Sequence, residues 1–372
     1  MINTDGAGTW PPQASHRDSW PASLQPYHDI FLDLAPLLPV DQICVNDAIN
    51  QSRRIEYRTR LQKLLQERVD LAAVESDLIM SEDSKTSSLT SDGYNGFFAC
   101  ISTLRHAFRW GTVPIVKVAQ QEKVINFPSE LDLPWKFLRW RYGSQSPGGN
   151  TMSNFYCNFD SDGNLVYAVN RSMPEPIPSA EHNLIYSFTE PERKVCIVSF
   201  FLEQSLTYFK AVPIYYHIVQ SILFYENGQK LKCKEHLKKV NLHLRTALRI
   251  YYENVIDSKI PRSVFTAYIQ GFHGWAAGEN VNGKYIEYDG ISGAHLVLFN
   301  LLDLFLELAP FLEEQSFVNY IPASQRKFIA SIKSHAFRGE AKRAGDVEVV
   351  LQLEDMVKQL RVRLFANIQN SH

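Results

Sequence analysis

Apolar residues recur mostly at threes and fours from Ile43 to about Met80, through Ile55, Leu61, Leu64, Leu65, Val69, Leu71 and Val74. That period puts them on one face of a helix. Ser, Thr and Asp crowd Glu82–Asp92 and predict a loop, and Phe97–Phe108 predicts a further apolar helix. Ahead of these, residues 1–28 set Trp10, Trp20, Pro11, Pro12, Pro21 and Pro26 among polar neighbours. This reads as an extended arm strapped to the body by its tryptophans.

Residues 112–180 break the helical period. Pro114, Pro128, Pro134, Pro147, Pro174, Pro176 and Pro178 predict a connector with little long helix. Within it, Asn154–Val169 alternates about Asp162-Gly163, the pattern of a small hairpin. From Val195 onward the helical period returns. Ile197–Val212 is apolar almost all round, which marks a buried helix. Pro213–Tyr225, Ile260–Trp275 and Asp346–Ile368 predict further helices. Lys230–Ile256 is amphipathic, with a basic face of Lys232, Lys234, Lys238 and Lys239 expected in solvent. Gly293–Leu308, with no polar face wider than Asn300, Asp303 and Glu307, should be almost wholly buried. The expected class is mainly α, with a smaller N-terminal domain at 1–125 and a larger helical domain at 126–372.

Composition narrows the functional classes. Hydrophobic residues make up 45% of the 372 and charged residues 21%, which excludes a disordered chain. The net charge of −2 and the lack of a Lys/Arg stripe argue against a nucleic-acid partner. The five cysteines are an odd set without CxxC spacing, so separate reduced thiols in a cytoplasmic protein are expected. No basic segment leads an apolar run in Met1–Val40, and Leu296–Leu308 is too short and polar to span a bilayer, so neither signal peptide nor membrane partner is expected. Phosphate-binding glycine loops, HExxH and the G-x-S-x-G elbow are absent. The 11 histidines read as scattered singly, with no pair at i, i+4 beside a carboxylate to suggest a metal.

Four ordered stretches carry a resemblance. Leu184–Phe188 leads into Ile197–Glu203, an apolar helix with one serine. Pro261–Trp275 ends in Gly-Trp. Gly290–Asp303 joins a Gly-Ser loop to an apolar helix bearing an aspartate. Tyr320–Phe328 reads Tyr-x-Pro-x-x-x-Arg-x-Phe. A weaker match covers Leu104–Pro134. In this order, over residues 95–368, they resemble the indoleamine 2,3-dioxygenase family of haem proteins. The resemblance implies a small α/β N-terminal domain on a large all-helical one, heme b between the C-terminal helices, and O₂-dependent opening of an indole ring by a monomer.

Carried over position by position, Ser199 falls on the distal-pocket serine, the expected catalytic-site residue. Phe265 falls on a pocket aromatic, and Ser292 and Gly293 on the loop against haem and substrate. Val195 and Cys196 stand where two further aromatics would be, and Val264 beside Phe265. Two departures change the expected chemistry. The arginine that holds the substrate carboxylate falls on Ile269, which offers no charge-assisted bond. A carboxylate left bare in an apolar pocket is costly, so a decarboxylated, esterified or amidated indole is expected rather than free tryptophan. The axial histidine falls on Asn367, and His295 is the alternative ligand. His217, His273 and His335 read as ordinary structural histidines. The expected function is a haem-dependent dioxygenase-like oxidoreductase on a tryptophan-derived indole, in specialised metabolite biosynthesis. The alternative is a haem-free enzyme or an inactive binding protein that reuses the indole pocket.

Overall fold

The computed structural model describes residues 14–34, 46–82, 89–110, 122–146, 157–159, 165–167, 183–184, 211, 213–254, 277–288 and 297–369. Helix dominates the described residues, as the apolar period requires. They fall into two compact units. One draws on 10–202 and 254–292, the other on 203–253 and 293–372. Among the described residues, no helix is long and apolar enough to cross a membrane.

In the first unit a 3-10 turn, Ala14–Ser19, leads to α1 (Gln25–Leu34), α2 (Asp47–Arg68), α3 (Leu71–Met80), α4 (Ser91–Trp110) and α5 (Ser129–Tyr142). The expected extended arm is therefore helical over its described part. Its strap is real at Trp20, which is buried, donates Nε1–H to the Gly93 carbonyl at 3.0 Å and meets Phe97 edge-on.

The long apolar run divides at Asp70, whose carboxylate caps α3 by accepting from the Ala72 and Ala73 amides. The buried stripe of α2 is Asn50, Arg54, Tyr57, Leu61 and Leu65. Ile55, expected in that stripe, is 53% exposed because Arg54 is the residue turned inward.

The proline-rich connector also holds more helix than expected, since α5 runs through Pro134. A proline inside a helix lacks the N–H that would bond four residues back, here to the Glu130 carbonyl. The Tyr27 hydroxyl of α1 donates to that carbonyl at 2.7 Å. Burial holds the phenol well above its usual range, so it remains a donor. Gly143, at φ 60°, closes the helix in the left-handed conformation.

The expected hairpin is present: β1 (Cys157–Phe159) pairs antiparallel with β2 (Leu165–Tyr167), Cys157 opposite Tyr167, and β3 (Asn183–Leu184) joins the other edge of β1. The turn at Asp162-Gly163 lies outside the described residues.

The second unit begins with the helix α6 over 213–226, then α7 (Lys230–Asn254). Later come α8 (Val297–Phe305), α9 (Glu314–Tyr320), α10 (Ala323–Ser334), α11 (Arg338–Arg343) and α12 (Val347–Gln369). As expected, α8 is buried along almost its whole length. On α7, Lys232, Lys238 and Lys239 are exposed, while Lys234 pairs with Glu348 at 2.6 Å. Asn241 is the polar seam between α7 and α12. It donates to the Gln352 carbonyl at 2.9 Å and accepts from Gln359 at 2.8 Å.

The proline bypass can be tested in one double-mutant cycle. Tyr27→Phe should cost about 1 kcal/mol of stability in urea unfolding, since the Glu130 carbonyl loses the hydroxyl that donates to it. In Pro134→Ala, where the backbone N–H returns, the same change should cost clearly less. Equal costs in both backgrounds would show that the hydroxyl does not serve the proline.

Candidate functional site

Ser199, Phe265, Ile269, Ser292, Gly293 and His295 lie outside the described residues, as do Val195, Cys196, Val264 and His273. Asn367 lies in the backbone of α12. Of the stretches that carry the resemblance, Tyr320–Phe328 is described in full. Pro322 breaks α9 from α10, and Arg326 donates to the Ile321 carbonyl and, at 3.3 Å, to that of Val318. Its guanidinium thus terminates α9, and Phe328 is buried against Tyr215 with ring centres 6.0 Å apart.

The described chemistry sits in three places, none of them singled out by the sequence. The first is a group of three histidines. His217 of α6 comes together with His236 and His243 of α7, His236 lying 19 residues further along the chain. The Nδ1 atoms of His217 and His236 are 3.0 Å apart. The His243 ring stacks on that of His217 at 5.6 Å and 16°, and Phe224 tilts against His236 at 5.2 Å. Burial, reinforced by His236, His243 and Lys239, pulls His217 down to about 4. Burial and Lys239 also lower His236, against the opposing charge of Glu235. Both rings are therefore neutral near pH 7. The reading of isolated histidines is corrected here: α6 and α7 pack side by side, and a spacing in one helix says nothing about its neighbour.

The second is an arginine clamp. Arg58 grips Glu122 with both oxygens, at 2.7 and 2.9 Å, and Arg109 donates to Glu122 Oε2 at 2.7 Å. Arg54 Nη1 lies 3.5 Å from the same oxygen. Arg58 also donates to the Phe108 and Arg109 carbonyls, which terminates α4. Burial pushes the Glu122 carboxyl up, but the hydrogen bonds and charges of Arg58, with Arg54 and Arg109, outweigh it and leave the value lowered. Burial, with Arg58 and Arg54, brings Arg109 down to about 10 despite Glu122. One turn back, Arg105 bonds Asp132 at 2.8 Å and lies 3.7 Å over the Phe127 ring. A usable sequence signal did exist. Arg105 and Arg109 fall within or beside an apolar helical run, and a charge there requires a buried partner.

The third is a cavity of about 450 Å³ among α3, α5 and the strand-like segment before α5. Leu71, Leu78, Phe127 and Phe137 make its apolar wall, with Glu75 and Asp132 at its edge. Asp132 is already engaged by Arg105 and, at 3.2 Å, by Lys136. The cavity can accept a small apolar group, and Ser129 and Lys136 add polar atoms to its lining.

The chain matches no protein-family model and no curated protein.

Two outcomes follow from this geometry. Glu122→Gln removes the single carboxylate from three guanidiniums and should cost about 3 kcal/mol in chemical unfolding. Because the folded value of Glu122 is lowered, its contribution is present above the unfolded carboxylate range and is lost as pH falls through the folded value. A Gln variant as stable as wild type at neutral pH would show that the clamp contributes nothing net. Separately, ¹⁵N NMR of the imidazoles should find His217 neutral until about pH 4. A midpoint in the ordinary imidazole range would contradict its burial among like charges.

Proposed function

We propose that the chain is an indoleamine 2,3-dioxygenase-like oxidoreductase acting on a tryptophan-derived indole that carries no free carboxylate, within specialised metabolite biosynthesis. The observation that carries this reading is the order of the four sequence stretches, ending in Tyr320–Phe328. The mainly helical architecture, with α8 buried directly after the Ser292-Gly293 loop sequence, is compatible with it.

Ile269 sets the substrate class. A side chain without a donor neither binds nor orients a carboxylate, so selection falls on the flat apolar ring and a neutral tail. Heme b is the group that the family would use, and in that family its iron takes an axial histidine. The chain offers the Asn367 carboxamide at that position, a hard and weak donor beside imidazole. The residue present does not fit the iron. The same observation favours a second reading, in which the pocket serves haem-free chemistry or binding of the indole.

Two measurements separate these readings. In calorimetric titration, tryptamine or an indole amide should bind more tightly than L-tryptophan, and Ile269→Arg should improve carboxylate binding by about 1.5–3 kcal/mol. Tighter binding of L-tryptophan to the wild type would overturn the substrate class. In haem reconstitution, Asn367→His should retain haem better than wild type if a degenerate haem site exists. Tight haem in wild type that is lost in His295→Ala would place the ligand at His295. If no variant takes up haem, the oxidoreductase reading falls and the haem-free reading stands.

A further inference from the structure

The histidine pair of α6 and α7 is independent of the proposed indole pocket and uses none of its residues. We propose that His217 and His236 form a chelating site for a divalent transition cation of borderline softness, of the nickel, copper or zinc class.

The argument begins with distance. Two imidazole nitrogens bound to one such ion, each at about 2.0–2.1 Å, lie roughly 3 Å apart at angles between a right angle and the tetrahedral value. The Nδ1 atoms of His217 and His236 are 3.0 Å apart. The bite is present before any ion arrives.

Rigidity comes next. The two rings stand on consecutive helices joined through residues 227–229, where Gly228 at φ 70° turns the chain. Ile218 and Leu237, each next in sequence to one of the histidines, are fully buried and anchor the two helices. Ring planes are held by neighbours: His243 stacks on His217, Phe224 leans on His236, and the Tyr216 ring lies 5.1 Å from His217. Side chains whose rotamers are already fixed lose little entropy on binding.

The donor set selects the ion. Imidazole suits nickel, copper and zinc, whereas magnesium and calcium require oxygen ligands. Among the described residues, no three His, Cys, Asp or Glu side chains are grouped to hold a metal. The proposed site is a two-nitrogen chelate of His217 and His236, with water in its remaining positions. The charge of Lys239 acts on both rings, Lys232 lies 5.3 Å from the Phe224 ring centre, and Glu235 acts on His236. This mixed charge disfavours a cation held by charge alone and leaves one held by nitrogen lone pairs.

The proton balance also closes. Without a cation, one ring donates Nδ1–H and the other accepts. For both Nδ1 lone pairs to face an ion, the donor ring moves its proton to Nε2. Two neutral rings then bind the ion, and no proton is released by the pair.

The test uses the full chain without a histidine tag, titrated with Ni²⁺, Cu²⁺, Zn²⁺ and Mg²⁺ near neutral pH by calorimetry. Saturable one-to-one binding is expected for the transition ions and none for Mg²⁺. His217→Gln and His236→Gln should each weaken it by at least ~10-fold, the scale on which even an outer-shell ligand partner counts. His335→Gln, which alters a histidine paired with Glu226 elsewhere in the same unit, should leave it unchanged. Transition ions should raise Tm in wild type and in His335→Gln but not in the other two variants, a comparison that also shows each variant folded. Electron paramagnetic resonance of the Cu²⁺ form should show splitting from two equivalent nitrogens. No saturable binding, binding that survives both His217→Gln and His236→Gln, or a copper spectrum without nitrogen splitting would each overturn the site.

Discussion

The segment at residues 122–125 is held by one carboxylate among three guanidiniums, and much of the first unit is arranged around that fact. Glu122 draws Arg54 and Arg58 from α2 and Arg109 from α4 to a single point. Buried cations without a counter-charge would be prohibitively costly, so the helices that bear them have little freedom in how they approach. The same segment is then fixed from its other side. Ile125 N–H donates to the Gly278 carbonyl at 3.0 Å, Gly278 N–H donates to the Lys123 carbonyl at 2.8 Å, and the Tyr285 hydroxyl reaches Lys123 O at 3.1 Å. A Cβ on Gly278 would sit 1.9 Å from the Ile286 carbonyl oxygen of its hairpin partner, so only glycine fits at this position. The hairpin β4 (Gly278–Val281) and β5 (Lys284–Glu287) is thus tied to the arginine clamp through three residues of backbone.

Parts of this arrangement were legible in the sequence, and the limits have physical causes. Helices α4, α7, α8 and α12 follow from the apolar period because each has a face that is continuous over several turns. The β4–β5 hairpin carries its own signal in the sequence. Asn282-Gly283 has φ of 51° and 80°, the left-handed pair that Asn-Gly supplies for a two-residue turn. Helix α5 was hidden by Pro134, since proline is read as a breaker when its missing hydrogen bond has no visible replacement. The replacement is Tyr27, 103 residues away along the chain. No local pattern contains that distance.

The misplacement of Ile55 has the same origin. Periodicity assigns apolar residues inward and charged residues outward, and on α2 the inward position belongs to Arg54. Its burial is intelligible only with Glu122 in view, which periodicity within one helix cannot supply. The histidines repeat the lesson in chemical form. His236 and His243 share a face of α7 at a spacing of seven, but what makes them a group is His217 on α6. The indole-site residues are the opposite case: Ser199, Phe265, Ile269, Ser292, Gly293 and His295 are named by sequence likeness and lie outside the described residues. Only the backbone of Asn367 is described among them.

On the proposed indoleamine 2,3-dioxygenase-like reading, positions 269 and 367 bear on function through a shared principle. In each, a group that would meet a partner's charge or lone-pair demand is replaced by one that cannot. Isoleucine presents no donor to a carboxylate, and a carboxamide oxygen is a poor substitute for imidazole at iron. The two replacements do not have equal consequences. Losing the carboxylate partner changes which molecule binds, because a neutral indole avoids the desolvation cost altogether. Losing the axial imidazole changes what can be done to any molecule that binds, because axial-ligand identity sets the reactivity of the iron. On that reading, substrate class and chemical step are separable. An indole pocket could remain selective while its oxidative chemistry depended entirely on whether another residue meets the iron.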